Sequence, residues 1–211
     1  MRRIPVDERD SMWEAHGARY RMYTFSGPRY TVETFDLRDT TLDRALEMGA
    51  IATRSGMLWA LALVVDAERG RGLVWLSGMD YHDHPRTAAE WQQRRRMQDR
   101  YLAERSSRRE RVTLPDGRRV IRLMPEWGVT WPLWESFTDA HLLDAADLGL
   151  SDELSEALRA WNAEWNDRSE TEPLRDRAAW LAEGRRLHAA LQAEVAAFAE
   201  VRPEFGGEGE P

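Results

Sequence analysis

Two apolar runs with a polar spacer between them give the clearest pattern in the chain. Met57 to Val65 and Gly72 to Leu76 flank Asp-Ala-Glu-Arg-Gly-Arg, whose glycine is free to take positive φ, and together they predict a β-hairpin with a longer loop. Upstream, Tyr30 to Leu37 (YTVETFDL) is rich in β-branched and aromatic residues and reads as a strand. Thr40 or Thr41 then offers an N-cap for a short helix through Met48, with Gly49 as its stop.

From Arg86 to about Ser107 neither Gly nor Pro interrupts a run of good helix formers. Glu90/Arg94, Arg95/Asp99 and Arg100/Glu104 are spaced i,i+4, so this segment predicts a helix with a largely solvated face. Arg111 to Leu114 and Arg118 to Met124 flank Pro115-Asp116-Gly117, a strong tight-turn signal that predicts a second hairpin with an exposed tip.

The pattern changes at Trp131-Pro132-Leu133-Trp134-Glu135. Ser151 is a natural N-cap, and Leu154, Leu158, Trp161 and Trp165 then recur at helical spacing on one face. Asn166 to Glu172 forms a polar connection and Pro173 suits a first helical turn. Trp180, Leu187, Leu191, Val195 and Phe198 mark a second helix, which completes an αα-hairpin. The fold class is α+β: antiparallel β-hairpins with packed helices, followed by a C-terminal αα-hairpin. The expected division is an N-terminal segment over 1–20, an α+β body over 20–135, a helical hairpin docked on it over 136–203 and a disordered tail over 204–211.

Composition narrows the function classes. The chain has 211 residues, of which 42% are hydrophobic and 32% charged, which suffices for a core without disulfides or metals. The longest apolar run, Leu58 to Val65, is too short to span a membrane, and no apolar stretch follows the N-terminal basic residues. A cytoplasmic location is expected. Cysteine is absent, which removes thiolate chemistry and Cys-type metal sites; all 30 basic residues are arginine, which removes lysine chemistry as well.

Charge is unevenly spread. Residues 1–85 carry 11 Arg against 13 acids, residues 86–122 carry 12 against 5, and residues 123–211 carry 7 against 19. The basic segment, with Arg94, Arg95, Arg96, Arg100, Arg105, Arg108, Arg109 and Arg111, could contact phosphates beside Trp91 and Tyr101. Its arginines fan out at helical intervals among acids at 90, 99, 104 and 110, so a nucleic-acid reader is disfavoured. It could instead dock on the acidic last third.

Asp80, His82 and His84, at the end of the first predicted hairpin, are the candidate metal ligands. Only His16, His141 and His188 could add another imidazole, and no HExxH or HxHxDH pattern is present. No nucleophile elbow or phosphate-cradling loop is visible, and no cofactor is called for. Six of the ten tryptophans lie at or after position 127. Trp161 and Trp165 read as core, whereas Trp127, Trp131 and Trp134 lie where Gly and Pro break regular structure. Those three rings, rimmed by Glu126, Glu135 and Asp139, form the candidate partner-binding surface; the competing reading is a loop stapled onto the sheet by its own rings.

Trp-Pro-Leu-Trp-Glu, followed by Leu-Gly-Leu-Ser-Asp-Glu-Leu, Leu-Arg-Ala-Trp-Asn and Glu-Gly-Arg-Arg-Leu, resembles a segment of actinobacterial proteins without an assigned activity, over about residues 131–195. The resemblance implies no catalytic residues. In composition, a small acidic Trp-rich α+β chain is also similar to immunity proteins of bacterial toxin systems. The expected function is thus a non-enzymatic protein-binding module of immunity or antitoxin type, directed at a basic partner such as a nuclease toxin. Two alternatives remain: a metal-dependent hydrolase built on Asp80, His82 and His84, and a structural homo-oligomer assembled through the αα-hairpin stripe.

Overall fold

The structure, a computed structural model, describes residues 3–11, 14, 17–68, 70–106, 111–169 and 171–206. His16, Arg69, Ser107, Arg108, Arg109, Glu110, Glu170 and the tail beyond Gly206 lie outside the described residues.

The described chain is an α+β fold with two four-stranded sheets and five helices. The first sheet has the order β2-β1-β3-β4, from β1 (Tyr20–Ser26), β2 (Thr31–Leu37), β3 (Leu58–Ala67) and β4 (Gly70–Ser77), all antiparallel. The predicted hairpin is β3–β4. Strand β1 escapes a reading of hydrophobicity because Arg21, Tyr23 and Thr24 interleave its apolar residues. Pairing on both sides makes it a central strand all the same.

Helix α1 (Leu42–Arg54) is capped by the Thr41 hydroxyl, which accepts from the Arg44 N–H. It does not stop at Gly49. Trp59 lies against that residue so closely that a Cβ there would sit 2.4 Å from the indole, and the glycine is therefore an approach site in mid-helix, not a terminator. The indole N–H of Trp59 donates to Thr53 Oγ1, also on α1, at 2.9 Å. With Tyr20, Met22, Ala45, Ala52 and Leu61, Trp59 forms the core beneath α1. The opposite sheet face, through Phe25, Leu58 and Ala60, packs on Met97, Tyr101 and Leu102 of α2 (Ala88–Arg105).

The second sheet has the order β7-β6-β5-β8, from β5 (Arg119–Leu123), β6 (Leu133–Glu135), β7 (Leu142–Leu143) and β8 (Ala199–Pro203). The tight turn at Pro115-Asp116-Gly117 forms, with Leu114 N–H donating to the Arg118 carbonyl at 2.8 Å. Residues 111–114 make no strand, however. β5 takes β6 and β8 as partners instead, the latter in parallel. The sequence reading carries the helical hairpin on to 203, where the structure has strand β8. Residues 204 and 205, read as tail, are packed: Phe205 meets the Trp161 and Trp180 rings edge-on.

Ile121, Leu123, Leu133 and Val201 face the helical layer of α3 (Ala145–Leu148), α4 (Asp152–Asn166) and α5 (Arg177–Val195). Ser151 caps α4 as expected. Helix α5 begins four residues after Pro173, because the Asp176 carboxylate caps it. The predicted stripe is spent inside the molecule. Trp161 and Trp180 stack with centroids 4.5 Å apart, and each indole N–H donates to the other residue's backbone carbonyl. Self-assembly through this stripe is thereby removed.

The other face of the second sheet is charged and meets α2. Arg94 forms a two-toothed contact with buried Glu200, which also accepts from Gln98 at 2.7 Å. Arg202, only 2% exposed, donates to Asp99 at 2.7 Å, and Glu204 lies near Arg95, Arg122 and Arg202. Burial works against both charges, but Glu200 more than offsets it for Arg94, whose pKa is raised. Arg94, Gln98 and Arg118 likewise hold the Glu200 carboxyl below its ordinary range. The predicted solvated helix is therefore in part a buried seam. Glu90 accepts from the Arg86 and Thr87 N–H groups in a capping box, and Arg100 donates to Ser77 Oγ and the Trp59 carbonyl, so neither makes its expected i,i+4 pair; Arg95–Asp99 does form.

Candidate functional site

Helix α4 turns Leu154, Leu158 and Trp161 inward, and the residues opposite them are exposed. Those include Asp152, Glu153, Glu156, Glu164 and Asp167, which at 3.6 residues per turn share an arc of about 120°. Asp144 and Asp147 of the adjoining turn are exposed too, engaged with each other's backbone N–H in a capping box. None of these seven carboxylates lies within ion-pair distance of an arginine among the described residues. Glu153 acts at longer range on Arg186 and exposed Arg159 borders the arc, but the face keeps a net negative charge, which attracts cations and cationic surfaces over a Debye length.

Beside that face runs the loop from Met124 to Pro132. Asn162 and Asn166, one turn apart on α4, donate to the Val129 carbonyl at 2.7 and 3.1 Å, and Asn166 Oδ1 accepts from the Gly128 N–H at 2.9 Å. Arg168 lies over the Trp165 ring at 3.9 Å and the Trp127 ring at 4.9 Å, and Arg159 lies over Trp131 at 5.4 Å. The rings are therefore half-buried, and the loop is stapled to a helix and not to the sheet. Asn162, Asn166, Arg159 and Arg168 escaped the sequence reading. The signal was present in the i,i+4 spacing of two asparagines beside Trp161 and Trp165, since amides in a helix interior need backbone partners from outside it.

The predicted partner-binding residues separate into groups. Glu126 is exposed, and Trp127 and Trp131 sit on the α4 border. Trp134 is half-buried on β6, donates its indole N–H to the Met124 carbonyl at 2.8 Å and stacks on His141; exposed Asp139 lies in the adjoining loop. Glu135 is not a rim residue. It is buried and accepts both prongs of Arg119, at 2.9 and 2.7 Å, because its strand position turns it into the molecule.

The Asp80–His84 loop leads into the Thr87 cap of α2. Asp80 Oδ1 accepts from the His82 backbone N–H, and the His82 ring, at 3.0 Å from the Tyr30 carbonyl, holds the turn in which Tyr30 has a φ of 51°. His84 meets the edge of Trp91. Among the described residues no group of three or more His, Asp or Glu is placed to hold a metal ion.

Known proteins bear on this half of the chain. Residues 119–202 match the family described as Serratia CdiI immunity protein-like. The CdiI-like segment runs from the first residue of β5 to Arg202 of β8, and so takes in the second sheet, α4 and α5, the acidic face and the stapled loop. The first sheet, α1 and α2 lie outside it. Neither the curated proteins nor the solved structures give a match. No helix among the described residues is long and apolar enough to cross a membrane.

Proposed function

We propose that this chain is an immunity protein that binds a basic toxin and blocks it. The observation that carries this reading is the coincidence of the CdiI-like segment with the unmatched carboxylates on the outer faces of α3 and α4. A partner with a cationic surface, such as a nuclease whose active site attracts phosphates, meets charge complementarity there together with the half-buried Trp127 and Trp131 at its border. Glu126 belongs to the rim. Asp139 lies in the loop beyond β6, and Trp134, in register with Arg122, points to the sheet face away from α4 and lies outside this surface. Binding consists of occlusion, and no chemical step by this chain is required.

The test is co-expression with the toxin-sized product of a gene adjacent to this one, with cell survival and complex formation as readouts. A complex that weakens as salt rises is expected. Reversal of Asp152, Glu156 and Glu164 to Arg should slow association at low salt by about tenfold or more. Trp131→Ala should speed dissociation. Absence of any complex at low salt, or binding indifferent to the charge reversals, would overturn the proposal.

A further inference from the structure

The first sheet is four strands wide, about 15–20 Å at the ordinary strand spacing, and a single helix of about 10 Å diameter lies on its α1 side. Met22, paired with Phe35 on one side and Leu61 on the other, sets the register of that face, and α1 covers its two middle strands. The outer strand β2 is left partly open. Phe35 is 38% exposed, and Leu37, two residues on, borders a groove of about 450 Å³ between α1 and the connection from β2, Asp39 to Thr41. The helix side of that groove carries Arg44, Glu47, Met48 and Ile51, with Met48 and Ile51 themselves 42% and 49% exposed. Among the described residues of the N-terminal segment, Ile4 and Val6 are 65% and 74% exposed.

We infer that a second copy of this chain fills the groove, α1 against α1 about a twofold axis. Three observations select that occupant. First, Arg44, Glu47, Met48 and Ile51 form an i, i+3, i+4, i+7 stripe, which two antiparallel helices share by interleaving. Second, the stripe is self-complementary in charge. With the axis level with the turn between Arg44 and Glu47, Arg44 of each copy lies opposite Glu47 of the other, whereas in one copy the two form only an exposed pair at 3.2 Å. Third, residues 1–85 are nearly neutral, with 11 Arg against 13 acids, while two copies of the acidic α4 face would repel each other. Phe35, Leu37, Met48, Ile51 and the polar rim offer on the order of 500 Å² per copy, about 1,000 Å² in all, which lies at the lower limit for a specific dimer. The dimer is therefore concentration-dependent. Its interface lies wholly outside the CdiI-like segment, so each copy keeps its acidic face free.

Sedimentation equilibrium of the full chain from low to high micromolar concentration reads this directly. A reversible monomer–dimer equilibrium is expected. Ile51→Glu should weaken it more than tenfold, with circular dichroism confirming that the fold persists. Arg44→Glu and Glu47→Arg should each weaken it, and the double swap should restore it. A monomer at every concentration, or a dimer unmoved by Ile51→Glu and the single swaps, would overturn the inference. So would a monomer in which Ile51→Glu abolishes toxin binding, because the groove would then belong to that partner. Loss of toxin binding with the dimer intact would count against the proposed function alone.

Discussion

At the scale of single residues, Glu200 gathers three partners in the buried seam. It stands on β8 inside the molecule and receives Arg94, Gln98 and, at 3.5 Å, Arg118. Truncation leaves the Arg94 guanidinium buried with one remaining acceptor, the Tyr81 carbonyl, so Glu200→Ala should cost about 3–5 kcal/mol in urea denaturation. The sign of the pH dependence follows from the depressed carboxyl. A group whose folded pKa lies below its unfolded value binds more protons when the chain unfolds. Its stabilisation is present above the ordinary carboxylate pKa of about 4.3 and is lost as the pH falls through the folded value. Glu200→Gln should therefore be less stable than the parent at neutral pH and lose less on acidification. A parent and variant with parallel stability-against-pH curves would refute this account.

At the scale of elements, Gly49 shows where sequence reasoning and structure part. Taken locally, a glycine after Met48 ends a helix; in the fold the helix continues, because the indole of Trp59, ten residues away, needs the space. Helix propensity alone predicts that Gly49→Ala stabilises α1 by about 1 kcal/mol. The contact at 2.4 Å predicts the opposite, a net loss of about 1–3 kcal/mol as Trp59 shifts and its bond to Thr53 weakens. Thermal unfolding of the variant decides between them. The elements that were legible carried their information locally: the β3–β4 hairpin, the Ser151 cap, and the Leu154, Leu158, Trp161 stripe. What was hidden depends on partners distant in sequence. β8 is a strand because β5 lies beside it, and Arg94 is buried because Glu200, 106 residues away, neutralises it. The candidate surface was legible as acidic charge and tryptophan, but not in its geometry. Glu135 could not be told from Glu126 without knowing that Arg119 sits on the adjacent strand.

At the scale of the whole molecule, two sheets meet at α2, with apolar packing on one side of the helix and ion pairs on the other, and share a core that holds Phe25, Tyr30, Leu114 and Val120. The charged side bears on how the chain divides. Glu200, Arg202 and Arg122 face α2, so residues 111–206 expressed alone would expose these charges together with Val120, which packs on the other half. That fragment should be less stable than the full chain and more prone to associate, even though it contains the entire CdiI-like segment. Recovery of a monomeric fragment with an unchanged unfolding midpoint would show that the halves are independent. The amphipathic faces thus assign different work to each half: the second sheet and its helices present the acidic surface, while the first sheet supports them and offers its own groove.

The stacked indoles of Trp161 and Trp180, parallel to within 14°, give the molecule an optical signature of its own. Two chromophores held face to face couple their electronic transitions, so the far-ultraviolet circular dichroism should carry an exciton band superimposed on the helical signal. Because that band exists only while α4 and α5 remain docked, it reports the closure of the helical layer separately from helix content, without any added label.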